Sequence, residues 1–453
     1  MNDPQVHAAN VERVRQLLES ADEERLRRYL EPFHASDVAD VIESLDEDER
    51  AAVLRALPDE AASEALAEME EDEHPEELLV ADPERVAELV LELSADDAAD
   101  IIGDLSLEKQ QEVLAQLPRD DAEELRDLLA YDEESAGGIM TTEVVAVRES
   151  ATVSEAIAEI RRRAAEGEDF YTVFVVDADN RPRGTVSFQD LIISQPGTQI
   201  HNIAEPLTAT VPAVMDQEHV ARVMSRYNLV SVPVVDPADR LIGRITFDDV
   251  MDIVEAETTE DILRLSGVMH EEYVLGGVAQ AVKSRLPWLA LALVTTSVAA
   301  TVVYSFRETI ERAVILAAVM PVIAAIGGNA GTQTLAVTVR RLALSPERSG
   351  TWKVVAKEIA VGLMNGAVLG ALVAGIGLVL PEGSWHFGLV VMLAMWGNLV
   401  VAGFGGAFVP VMLEKLGIDP AVASSVFITA LTDIFGFFLL LSLASWLLLP
   451  QLG

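Results

Sequence analysis

Cysteine is absent from all 453 residues, which excludes disulfides, thiolate metal sites and cysteine nucleophiles. The seven histidines, His7, His34, His74, His201, His219, His270 and His386, are scattered and lack the short spacing that zinc or copper sites need. Any bound metal must therefore take oxygen ligands, which favours a hard cation such as Mg2+ or Ca2+. Bases are scarce as well: 32 Lys and Arg stand against 74 Asp and Glu, a formal charge of −42. From Leu286 onward the two signs balance, so the whole excess lies ahead of that residue. Such a surface repels nucleic acid and anionic headgroups and concentrates divalent cations. A halophile-like solvated surface is the simpler partial cause. The segment Met1-Asn2-Asp3-Pro4 lacks a basic stretch followed by an apolar core, so no signal peptide is read and the acidic half is expected in the cytoplasm.

Long apolar runs fill the remainder. Five of them, near residues 286–305, 313–339, 354–380, 387–412 and 421–449, are long enough to cross an apolar layer of ~30 Å. Arg340, Arg341, Arg348, Lys353 and Lys357 between the second and third runs, with Lys283 and Arg285 before the first, set those ends inside. The N-terminus is then inside and the C-terminus outside.

One carboxylate, Asp433, sits near the middle of the last run, which has no basic residue. An ionised group there costs about 2.5–3.5 kcal/mol on insertion scales and is tolerated where it faces a bundle interior, a polar partner or water. Asp433 is therefore the first candidate for an ion pathway. The second run holds Pro321 and the stretch Gly327-Gly328-Asn329-Ala330-Gly331-Thr332-Gln333. Proline and clustered glycines are expected to loosen a helix there and free carbonyls for an ion or water. Small residues also let helices pack closely in lipid, but packing does not explain why Asn329 and Asp433 both stand in membrane spans.

Ahead of the membrane an internal repeat occurs. Phe174-Val175-Val176-Asp177 followed by Gly184-Thr185-Val186-Ser187-Phe188-Gln189-Asp190 returns as Pro233-Val234-Val235-Asp236 followed by Gly243-Arg244-Ile245-Thr246-Phe247-Asp248-Asp249. Each copy reads as strand, turn, strand and a helix opening near Ser or Thr. This resembles a tandem pair of CBS domains, a module that often binds adenine nucleotides. Before it, residues 8–132 read as short amphipathic helices stacked as an array. Phe33-His34-Ala35-Ser36-Asp37 resembles Leu93-Ser94-Ala95-Asp96-Asp97, with Ser36 and Ser94 expected as N-caps. Asp96, Asp97 and Asp100 share one helical face, which taken alone reads as solvated.

The order helical array, CBS pair, five spans resembles the MgtE family of magnesium channels over essentially the full length. The residues that carry the match are Asp132-Glu133-Glu134-Ser135-Ala136-Gly137-Gly138-Ile139-Met140-Thr141-Thr142, Gly327-Gly328-Asn329-Ala330-Gly331 and Leu431-Thr432-Asp433-Ile434-Phe435-Gly436. The fold class implied is multidomain. An acidic α-helical superhelical N domain (1–132) precedes two α/β CBS domains (133–200 and 201–260), a connecting helix (261–283) and a five-span α-helical membrane domain (284–453).

The resemblance implies a homodimer in the lipid of the cell membrane, with no enzymatic role and an ion path between subunits lined by spans two and five. Asp433, Asn329 and Gly328 would meet a hydrated Mg2+. Intracellular Mg2+ would close the path through Glu64, Asp97, Asp100, Asp216, Asp249, Asp252, Glu257, Glu260, Asp261 and Asp419. ATP would tune it, with Asp190, Thr172 and Pro233 as nucleotide contacts. Val214, His219 and Gln189 stand where relatives often carry acids, or arginine, so the Asp216 site and a phosphate contact beside Asp190 are the least secure of these. The alternatives are a nucleotide-regulated carrier of another divalent cation such as Mn2+ or Co2+, an anion carrier, or a membrane-bound enzyme. The acidic character of the spans, and the lack of a nucleophile with an adjacent base, argue against the last two.

Overall fold

Residues 4–20, 22–69, 74, 82–165, 172–268, 278–344, 351–379, 384–422 and 425–452 are described by a computed structural model. The chain forms two compact units, Met1–Val254 and Glu255–Gly453.

The first unit opens with an array of short helices: Pro4–Glu19, Glu23–Leu30, Ala35–Glu43, Glu47–Ala56, Asp59–Ala67, Pro83–Val90, Ala95–Gly103, Leu107–Leu114 and Arg119–Leu128. Most are too short to be stable alone in water, so packing must hold them. Leu26, Ile42, Leu54, Leu66, Leu89, Ile101 and Ile102 are fully buried between them. Acids start several of these helices. Asp22, Asp46 and Asp82 each accept the amide three residues on, and Asp46 with Glu49 completes a capping box, which suits the positive end of the helix dipole.

The two expected serine caps differ from this pattern. His34, not Ser36, caps Ala35–Glu43, its ring nitrogen accepting the Ser36 amide. Ser94 does stand at the N-cap of Ala95–Gly103, yet makes no cap bond. Its hydroxyl is drawn instead to the carboxylates of Asp96 and Asp97, the latter at 2.7 Å, because a charged acceptor outcompetes the geometry of a neutral cap.

The repeat folds twice as read. Strands β1 (Ala146–Arg148), β2 (Val173–Val176), β3 (Pro182–Val186) and β4 (Glu205–Pro206) form one sheet in that order, and β5 (Val211–Pro212), β6 (Ser231–Val235) and β7 (Leu241–Thr246) form another. In each copy an aspartate folds the hairpin turn. Asp177 accepts the amides of Asp179 and Arg181, and Asp236 those of Ala238 and Arg240. Asn180 and Asp239 take left-handed backbone at φ 63° and 60°, a conformation that Asn and Asp tolerate. The copies join through Phe174, Val176 and Leu241 and through the Leu241 amide donating to the Asn180 carbonyl at 2.9 Å.

The entry motif also pairs with the second copy. The Ala136 and Gly137 amides donate to the Met215 and Ala213 carbonyls at 2.6 and 2.8 Å, and Thr141 bridges Arg244. One apolar core thus runs from the array (Leu125, Leu128) into the second copy (Val220, Ile245).

The second unit contains five helices long and apolar enough to cross a membrane: Ala281–Ser305, Ile315–Leu342, Trp352–Gly375, Trp385–Lys415 and Ser425–Leu448. The fourth is central, with Val390, Ala394, Asn398, Leu399 and Ala402 all buried. The first packs on the fifth through an edge-to-face contact of Trp288 and Phe427, 6.2 Å between centroids. It leaves Leu289, Leu293 and Val294 exposed, as a lipid-facing helix does. Of the connecting helix expected over 261–283, residues 269–277 lie outside the described residues. The described parts belong to Phe247–Ser266, which starts in the second CBS copy, and to Val278–Ser305.

Phe174 is fully buried at the join of the CBS copies. Phe174→Ala should destabilise the first unit by about 3–5 kcal/mol, read as a fall in its thermal midpoint. A loss below about 1 kcal/mol would show that the join does not depend on this cluster.

Candidate functional site: a polar seam in the spans and acidic clusters outside them

The Gly327–Gly331 stretch does not break the second span. Helix runs unbroken from Ile315 to Leu344, with Pro321 inside it. The glycines act by what they leave out. A methyl group at Gly331 would overlap the Ile428 side chain, and one at Gly328 would touch Thr429 at 3.6 Å. Spans two and five therefore lie against each other along Gly327–Gly331 and Ile428–Thr432, close contact that only small residues allow. Asn329, Thr332 and Gln333 of the second span and Thr429 of the fifth are exposed. Polar groups in a membrane span need protein or water rather than lipid.

Asp433 lies within the fifth span, one residue past Thr432. It is half-buried, and its Oδ1 is buried with no hydrogen-bond partner among the described residues. Gly328 and Asn329 thus stand on the second span and Asp433 on the fifth, two helices that pack on each other through Gly328 and Thr429.

Two polar residues of the spans escaped the sequence reading. Glu358, next to Lys357 of the basic inner segment, is buried two turns into the third span. There it pairs with Lys357 at 3.1 Å and lies 3.5 Å from Thr334 Oγ1. Both line a cavity of about 250 Å3 with Gln333 and Asn365. Asn398 of the fourth span is wholly buried and donates through Nδ2 to the Ile323 carbonyl of the second span at 3.1 Å. A lone amide in the apolar run 387–412 is the same signal that drew attention to Asn329.

Outside the membrane the first unit brings acids of the array against the second CBS copy. Asp96 is buried, not solvated as its face suggested, because the array and the CBS copy share one core. Burial, and then the charge of Asp97, pushes Asp96 up to about 6. Asp249 is pushed up to about 6 by burial and then by Asp96. Asp97 is raised by burial too, with Asp249, Glu68 and Asp248 adding repulsion. Asp249 accepts the Thr246 amide at 3.0 Å and hydroxyl at 2.5 Å, closing the start of its helix.

Glu64 and Asp100 lie exposed on the array, and Asp252 lies exposed on the helix Phe247–Ser266. Asp216 caps the helix Gln217–Tyr227 and lines an open cavity of about 350 Å3 with Asp132 and Glu134. Among the described residues no three His, Asp or Glu side chains converge tightly enough to ligate one ion directly. Mg2+ keeps several of its waters and needs few direct ligands.

In the second unit, Glu257, Glu260 and Asp261 lie on the last turns of Phe247–Ser266. Arg264 pairs with Glu260 and with Asp419 of the loop before the fifth span. Asp261 is held above the usual carboxylate range by burial, then by Asp419 and Glu257. Four of the expected sensor acids are therefore in one place, with a single arginine among them. Of the expected nucleotide contacts, Thr172 immediately precedes β2, and Asp190 follows β3, bonded to the Ser187 hydroxyl at 2.6 Å. Because Val173 pairs with Val186, both lie at one edge of the first sheet. Pro233 is buried in β6, opposite Arg244.

Family models match along the chain in the same order. An MgtE intracellular N domain matches residues 33–134, CBS domains match 136–196 and 203–256, and a divalent cation transporter domain, MgtE, matches 320–443. The magnesium transporter MgtE of Thermus thermophilus is 37% identical over 72% of both chains. That of Enterococcus faecalis is 36% identical over 71% of both. A crystal structure of the cytosolic domain of the Mg2+ channel MgtE, solved in complex with ATP, covers 53% of this chain and 98% of its own, with 37% identity and a TM-score of 0.50. The Asp433 seam lies inside the matched transporter domain and the acidic array inside the matched intracellular domain; with that agreement of order, identity and coverage, this multi-pass membrane chain belongs to the MgtE family of divalent cation transporters, which are not enzymes.

Proposed function

We propose that this chain conducts Mg2+ into the cell as a homodimer and that intracellular Mg2+ closes it. The observation that carries the first part is Asp433. A carboxylate oxygen is buried in the bundle without a hydrogen-bond donor among the described residues, one helical turn from exposed Thr429 and on a helix packed against the one that bears exposed Asn329. A passing cation supplies the missing charge. Twofold symmetry supplies a second carboxylate, and two match the divalent charge. Contact is through the water shell, because full dehydration of Mg2+ would stall conduction. Bases near the inner ends place the C-terminus outside.

The acidic clusters carry the second part. Asp96, Asp97 and Asp249 repel across the array and CBS contact, and Glu257, Asp261 and Asp419 repel beside the fifth span. Divalent ions favour arrangements in which such acids are close, and the bias sums over sites. The helix Phe247–Ser266 is covalently part of both units, so it is the natural carrier of the signal. ATP is assigned to the sheet edge bearing Thr172 and Asp190, in line with the ATP complex of the similar cytosolic domain.

Asp433→Ala should abolish divalent uptake in a protein that still assembles. Full uptake by that variant would remove Asp433 from the path. The same recordings across Mg2+, Mn2+, Co2+ and Ca2+ separate a magnesium channel from a carrier of another divalent ion.

The combined variant Asp97→Asn, Asp249→Asn and Glu257→Gln should need at least about tenfold more internal Mg2+ for half-inhibition, with maximal flux retained. An unchanged midpoint would exclude these acids from gating.

Protons compete for the same oxygens. Asp96 and Asp249, at about 6 when folded against an ordinary ~3.9, bind more protons folded than unfolded between those values. The first unit therefore gains stability as pH falls through 6 and carries the whole repulsion at pH 7. Mg2+ should raise its thermal midpoint clearly at pH ~7.5 and little at pH ~5.5. Equal shifts at both would show that Mg2+ acts elsewhere.

A further inference from the structure

Asn398 is completely buried in the central fourth span and is still polar. Its Nδ2 donates to the Ile323 carbonyl of the second span at 3.1 Å. The same amide fills a slot between two glycines. A methyl at Gly327 of the second span would overlap it, and one at Gly436 of the fifth would stand 2.7 Å from it. Gly327 lies two residues before Asn329, and Gly436 three residues after Asp433. A single side chain therefore meets both pore-side helices within one turn of their polar groups.

Its other atom argues against a packing role. Oδ1 is buried with no hydrogen-bond partner among the described residues. Leucine has nearly the same shape and would leave no orphan acceptor, so an amide kept only to fill space would be the costlier choice. The hydrogen bond is also directional, and it fixes how far the second span can slide along the fourth, while the same amide seated against Gly436 sets the fifth span relative to both.

We propose that Asn398 is a positioning residue of the ion path. Seated between Gly327 and Gly436, its amide locks the register of spans two and five and so sets the spacing of Asn329 and Asp433 that a hydrated cation must fit. The part concerning cations rests on the function proposed above; the part concerning register does not.

The cysteine-free chain allows a direct test on the full-length protein. A methyl at Gly328 would lie 4.0 Å from Thr429 Cβ, within the Cβ separation a disulfide requires. Gly328→Cys with Thr429→Cys therefore reports the register by its rate of oxidative closure, followed by loss of free thiol. In the Asn398→Leu background closure should slow by about tenfold, the effect of one lost buried hydrogen bond. In channels without cysteines, Asn398→Leu should reduce discrimination of Mg2+ against Ca2+ several-fold.

Unchanged closure overturns the register role. Slowed closure with unchanged discrimination overturns its link to ion selection. Loss of all divalent flux in the parent chain would sink the channel reading and leave the register result standing. Should Asn398→Leu fail to fold, Gly327→Ala with Asn398→Ala, in which the new methyl occupies the space vacated by the amide, takes its place. Parental closure and discrimination in that double variant would show that bulk alone suffices and the proposal is wrong.

Discussion

The membrane unit is organised around a negative charge that the bundle itself does not neutralise. A partnerless carboxylate oxygen in a layer without bulk water is among the costlier arrangements a helix bundle can hold, and Asp433 holds one. Its surroundings are arranged to suit it. Glycines bring the second span against the fifth. Both helices carry exposed polar residues. The fourth span, the most enclosed of the five, contributes an amide that ties the second span down just behind that seam. Lipid would satisfy neither that carboxylate nor the exposed polar groups of the two helices.

Outside the membrane the same electrostatics acts at longer range. Acids at helix starts are locally favourable in the array, where they cap amides and suit the dipole. Folding then places some of those favourable acids against others from the second CBS copy, and burial raises Asp96 and Asp249 into the range where protonation competes with cation binding. Local stability and long-range repulsion thus come from the same residues.

Much of this was legible before any coordinates. Five spans, a doubled strand-turn-strand-helix and an array of short helices follow from apolar periodicity, and Asp433 stood out because nothing near it in sequence was basic. What was hidden depended on partners distant in the chain. Asp96 looked solvated because the residues that bury it arrive from the second CBS copy, some 150 positions later. The entry motif read as belonging to the first copy, but its amides bond to Ala213 and Met215 of the second. Ser36 failed as a cap because a histidine ring one position upstream of the helix accepts as well as a hydroxyl would. Glu358 was missed because a charge next to lysine near a span end has the same local pattern whether it is solvated or buried.

Buried Glu358 and half-buried Asp433 differ in how their charges are answered. Glu358 has Lys357 at 3.1 Å and a threonine hydroxyl behind it, so its charge is already answered, and adding a dication would place that ion beside an ammonium group. Removing one member of such a pair is destabilising, while the intact pair exerts little field beyond itself. Asp433 has no such partner among the described residues. Under the function proposed above, its field would lower the barrier to a passing cation without binding so tightly that the ion could not leave. The difference is one neighbouring lysine on the same helix: with it, the charge of a buried acid is answered locally; without it, the charge is left for the surroundings to answer.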